Sequence, residues 1–99
     1  MADAGLRRLR AVLGFATLEP RSAELHQLHR WVDTWRGIGD ILVGMHRAGW
    51  DVQLTEYGDA HWRATFYVTG QAHSVAGGSA WEATPWRAVQ RAAWQAISR

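Results

Sequence analysis

The segment Trp62-Arg63-Ala64-Thr65-Phe66-Tyr67-Val68 constrains the fold more than any other part of the chain. In an extended backbone Trp62, Ala64, Phe66 and Val68 share one face, and Arg63, Thr65 and Tyr67 share the other. This is the pattern of a strand with one face buried. Such a strand needs partners. Trp50–Tyr57 supplies one before it, with Val52 and Leu54 alternating against Asp51, Gln53 and Thr55, and Gly58-Asp59 marking the turn. After it, Thr69-Gly70-Gln71 turns the chain, and a weaker third strand starts at Ala72–Val75 and resumes at Ser79–Glu82. Gly77-Gly78 reads as a bulge or loop between the two pieces. Consecutive strands joined by short turns form an antiparallel meander.

Helical signals flank the strands. Ser22 is a good N-cap, with Glu24 in the first turn. Leu25, Leu28, Val32, Trp35, Ile38, Leu42 and Met45 then follow at steps of three or four. One helix is predicted over 23–48, with a kink near Gly37–Gly39 and a stop at Gly49. Thr84 and Pro85 open a second helix over 85–98, whose Ala88, Val89, Ala92, Ala93, Ala96 and Ile97 make a face of mostly small residues. Residues 1–21 read as a basic N-terminal arm, flexible or a short helix, with Leu6, Leu9 and Leu13 among Arg7, Arg8 and Arg10. The predicted fold class is α+β: helix–strand–strand–strand–helix, with a three-stranded antiparallel meander and two helices packed on one face. A loosely attached arm precedes a single domain over 22–99. The other sheet face, with Arg63, Thr65 and Tyr67, is left for solvent or a partner.

This order of elements resembles two families. The double-stranded-RNA-binding domain also runs helix, three strands, helix, and the alanines at 88, 92, 93 and 96 with Ile97 are similar to its last helix. That resemblance covers about residues 28–98 and implies topology. The lysine cluster with which the family holds phosphates is replaced here by Pro85, Trp86 and a single Arg87. The chain also looks like small phage-type α–β–α sandwich domains, over about residues 30–98. The shared features are Trp62-Arg63-Ala64-Thr65-Phe66, Thr84-Pro85, Arg87-Ala88 and Arg91-Ala92-Ala93. That likeness implies a bacterial or phage-derived protein and brings no site with it.

Composition bounds the chemistry. With 99 residues and no cysteine, the chain has no thiolate, disulfide or cysteine nucleophile. No apolar run approaches the roughly 18 residues of a membrane span. Glu19-Pro20-Arg21 is a poor signal-cleavage site, so the expected location is cytoplasmic. The net charge is only +2, yet every cation is Arg, and there are seven Trp. Arg and Trp together are typical of binding surfaces.

His26, His29 and Asp33 share one side of the predicted first helix and are weak candidates for a metal set. No second such motif completes it, so the plain reading is a His29–Asp33 pair on a solvated face and no metal. His61 and His73 flank the central strand near Asp59, Ser74 and Ser79, but no nucleophile elbow surrounds either serine. Gly77-Gly78-Ser79 lacks the lysine of a phosphate loop. No catalytic residue and no cofactor are therefore assigned, and the chain is expected not to be an enzyme.

The candidate binding residues are Arg63 and Tyr67 on the sheet and Arg87, Arg91 and Trp94 on an exposed side of the last helix, with Arg7, Arg8 and Arg10 as a basic arm. Trp31 is a second candidate for exposure. Trp35, Trp50, Trp62, Trp81 and Trp86 are expected in the core or at its edge. The expected function is a non-enzymatic interaction module that self-associates as a homo-oligomer or takes a protein partner. The alternative is a nucleic-acid binder that uses the arginines and tryptophans.

Overall fold

In a computed structural model, residues 2–18, 22–58, 60–70 and 76–98 are described, with the backbone alone for 2–4. The elements are α1 (Ala2–Ala16), α2 (Ala23–Val32), α3 (Trp35–Arg47), β1 (Trp50–Tyr57), β2 (His61–Val68), β3 (Ala76–Glu82) and α4 (Pro85–Ile97). The sheet order is β1-β2-β3, antiparallel throughout, as the meander reading requires. α3 and α4 cover one face of the sheet, while α1 and α2 pack on the other helices. The α+β fold class read from the sequence is the fold observed.

Local chemistry sets the element ends. The Leu25 N–H donates to Ser22 Oγ at 3.2 Å, capping α2 as expected. The Arg87 N–H donates to Thr84 Oγ1 at 3.4 Å, with Pro85 in the first turn of α4. Gly49, at φ +95°, ends α3 in the left-handed conformation that glycine adopts without a Cβ penalty.

The single helix predicted over 23–48 is instead two helices. The chain breaks at Asp33-Thr34, ahead of the glycines where a kink was expected. Thr34 causes the break. Its Oγ1 accepts from the Gly37 N–H at 2.9 Å and donates to the Trp31 carbonyl at 2.8 Å, joining the start of α3 to the end of α2. Gly37 permits the tight corner, because a Cβ there would run into the Trp31 carbonyl and Val32.

The core joins expected residues of β2, α3 and α4 to Leu9, Leu13 and Ile41, which the sequence reading did not place there. Ala64 and Phe66 of β2 are fully buried against the Ala88, Val89, Ala92 and Ala93 stripe of α4. α4 lies so close to β3 that a Cβ on Gly78 would meet the Ala92 carbonyl and stand 2.8 Å from the Ala96 nitrogen. The register shifts between Phe66 and Tyr67, which places a bulge at Gly77. Of the bulge or loop read for the glycine pair the bulge is observed, and β3 runs through both glycines from Ala76 instead of resuming at Ser79. The Ala72–Val75 part of the third-strand reading lies outside the described residues.

In the stretch read as a basic arm, residues 2–16 form α1. Leu9, Leu13 and Ala16 are buried, and Arg8 and Arg10 remain exposed. Among the described residues no helix is long and apolar enough to cross a membrane.

Candidate interaction surface

The sheet face turned away from α3 and α4 carries Asp51, Gln53, Thr55 and Tyr57 of β1, Arg63, Thr65 and Tyr67 of β2, and Ser79 and Trp81 of β3. The register places Arg63 between Thr55 and Trp81. Trp81 and Tyr57 lean toward each other across β2, with ring centroids 4.8 Å apart and planes tilted by 42°. The Arg63 guanidinium carbon lies 5.6 Å from the Trp81 ring, within cation–π range. Arg63 Nε donates to Ser79 Oγ at 3.4 Å, and Ser79 Oγ and Thr65 Oγ1 are 3.1 Å apart. One hydrogen bond, to Ser79, thus helps to orient the arginine toward Trp81. Trp81 nevertheless stays 52% exposed and Tyr57 43% exposed.

Trp81 was expected in the core and is not there. At that end of β3 the core side is filled by Ala80 opposite Ala64, and α4 sits too close for an indole. Trp35 also departs from expectation. It is 59% exposed, packing edge-on against Trp62 and Trp86 at 5.7 and 6.3 Å between centroids. Trp50, Trp62 and Trp86 lie at the core edge, as expected. Trp31 is exposed, as read from the sequence. It borders an apolar groove of about 490 Å³ between α1 and α3, lined also by Leu6, Val12 and Val43, with Arg8 and Arg47 at the rim.

The other candidate residues do not gather on one surface. Arg87 is not the exposed cation predicted. It is half-buried, and its Nη1 donates to the Ala16 carbonyl at 2.9 Å and to Gln90 Oε1 at 3.4 Å. Trp94 is likewise half-buried, its ring lying over Gly14 of α1. Arg91 is exposed and pairs with Glu82 at 3.3 Å. Arg63 lies on the sheet face opposite to the one α4 covers. Tyr67 is half-buried on the same face as Arg63.

His29 and Asp33 do meet, at 3.3 Å, and the other His29 nitrogen faces the Leu18 carbonyl at 3.0 Å. The buried Gln90 amide completes this network by donating to Asp33 Oδ1 at 2.7 Å and to the Val32 carbonyl at 3.3 Å. The cluster joins α1, α2 and α4, and its polar atoms are spent on one another. His26 is exposed and takes no part, and among the described residues no three His, Asp or Glu gather to hold a metal. His61 is exposed, while Asp59, His73 and Ser74 lie outside the described residues. Gln90 carried no signal in the sequence: a glutamine on an alanine-rich helix looks like surface until the corner it bonds is known.

Compared with known families, characterised proteins and solved structures, the chain matches no family model, no curated protein and no solved structure. What the geometry defines is a small α+β domain in which, among the described residues, one sheet face is free of helices and aromatic at one end.

Proposed function

We propose that the chain is a non-enzymatic interaction module, of the small bacterial or phage-derived kind, that engages a protein partner through the open sheet face. The observation that carries this reading is the exposed Trp81 indole, held beside Tyr57 and Arg63 on a face that, among the described residues, no helix covers. Trp, Tyr and Arg are the residues most often found to dominate binding energy at protein interfaces. Their pre-arrangement lowers the ordering cost on binding.

The nucleic-acid alternative draws less support. Arg63 and Arg91 stand on different sides of the sheet, and Arg87 is engaged with α1.

The test is affinity. A partner recovered from native extract and remade as a pure protein should bind wild type and lose at least tenfold in affinity to Trp81→Ala, as expected for a hot-spot tryptophan. Equal affinity would overturn the reading. So would selective binding of single-stranded or duplex oligonucleotides that weakens steeply with salt.

A further inference from the structure

The two edges of the sheet are not alike. β3 is interrupted by its bulge at Gly77, and the Ser79 N–H donates to the Gln95 side chain of α4 at 3.1 Å. Both features blunt an edge against pairing. β1 has neither. It is a run of eight residues, Trp50–Tyr57, with no proline and no register shift, its charges confined to Asp51 and Glu56, and among the described residues no strand lies beyond it.

The backbone groups at that edge can be identified. The Thr69 N–H donates to the Gly49 carbonyl at 2.9 Å, continuing the Trp50↔Val68 register. In an antiparallel ladder, positions that bond the neighbour alternate with positions that face away. Asp51, Gln53, Thr55 and Tyr57 therefore bond β2. Trp50, Val52, Leu54 and Glu56 turn their N–H and C=O groups outward.

We infer that β1 pairs with β1 of a second copy of this chain, antiparallel about a two-fold axis at Gln53, to make a continuous six-stranded sheet. The outward set is symmetric about Gln53, so each outward group meets a partner. Trp50 pairs with Glu56, and Val52 with Leu54, twice each. The apolar Val52–Leu54 pairs fall on the helix-covered face. Asp51 faces Thr55 on the open face, so no like charges are opposed. Val52 and Leu54 are half-buried in the single chain. Beside them a cleft of about 370 Å³ between α3 and β1, lined by Leu42, His46, Trp50 and Val52, would be roofed by the second copy. A second copy fits better than an unrelated strand because one two-fold operation satisfies the whole edge without a new sequence. The pairing stands on the edge itself and does not depend on the partner-binding reading of Trp81. It would place two copies of the Tyr57–Arg63–Trp81 surface on one continuous face.

Light scattering on the full chain should give twice the 11.1 kDa chain mass. Val52→Lys, which puts a charge in the apolar seam, should give a folded monomer by circular dichroism. Because the chain has no cysteine, single-cysteine variants report geometry without interference. The two Gln53 positions would form a non-hydrogen-bonded pair with Cα atoms about 4.5 Å apart, inside the roughly 4.4–6.8 Å that a disulfide spans. Gln53→Cys should therefore oxidise to a covalent dimer, while Gln27→Cys, exposed on α2, should not. A wild-type monomer from micromolar to millimolar concentration would overturn the inference. So would a dimer that survives Val52→Lys, or one in which the two cysteine variants cross-link equally. If Val52→Lys does not fold, the cysteine pair decides alone. Trp81→Ala should leave the dimer mass unchanged, so loss of partner binding and loss of self-pairing are read separately.

Discussion

The Trp81 ring lies 4.8 Å from the Tyr57 ring although β2 runs between their strands. The two side chains meet above the sheet, on the solvent side, and not within the core. A contact of this kind contributes modestly to stability, because both rings keep much of their surface in water. Trp81→Ala is expected to lower unfolding stability by about 1–2.5 kcal/mol, because the aromatic pair adds about 0.5–1.5 kcal/mol to the burial of the covered half of the indole. Urea unfolding measures this. A loss as large as that of a buried aromatic, about 3–5 kcal/mol, would show that the ring belongs to the core.

Ala60 adopts φ +57° in the three-residue turn between β1 and β2. The left-handed conformation costs a non-glycine residue roughly 1–2 kcal/mol, and three-residue hairpin loops place glycine there. Ala60→Gly should therefore stabilise the domain by about 0.5–1 kcal/mol after the entropy of glycine is subtracted. Thermal unfolding reads the effect, and an unchanged or lower midpoint would refute it.

Gly78 carries the opposite expectation. A methyl group there would press on the Ala92 carbonyl, and backbone cannot swing aside as a side chain can. Gly78→Ala should cost about 2–4 kcal/mol, through overpacking and displacement of α4. Chemical denaturation of this variant beside Gly39→Ala is the direct comparison, since a Cβ at Gly39 meets nothing within 4 Å. Similar stability for the two would contradict the close approach of α4 to β3.

Arg87 and Arg91 look equivalent in sequence and should behave differently. Arg87→Ala removes the donor to the Ala16 carbonyl and one contact of the buried Gln90, and should cost about 1–3 kcal/mol. Arg91 pairs with Glu82 at the surface and should cost less than about 1 kcal/mol. Equal losses in urea unfolding would refute this division of roles.

Where the sequence was readable, a local signal and the tertiary demand agreed. The alternation in β2 fixed its inward face, Thr84-Pro85 opened α4, and the alanine stripe matched the close approach of helix and sheet. The break at Asp33-Thr34 was hidden because Val32 and Trp35 keep the three-residue spacing across it. The stripe runs on while the backbone turns a corner. Trp81 was misplaced because β3 is made largely of Ala, Gly and Ser, which alternate too weakly to assign a face. Hydrophobicity then sends an indole inward, while the space left by α4 admits only Ala80. The candidate surface was half legible. Arg63 and the open face followed from β2 alone, whereas the aromatic pair that meets it comes from the two outer strands and depends on register.

The bond from Arg87 to the Ala16 carbonyl joins residues 71 positions apart. Among the described elements α1 packs on α2, α3 and α4, and α4 is the last of these to leave the ribosome. Leu9 can rest on Gly44 once α3 is made, but the sheet has no alanine face to rest on until α4 is complete. The domain is thus closed by its final segment, and a nascent chain stalled before residue 85 would present sticky helices and an uncovered meander to whatever chaperone stands nearby.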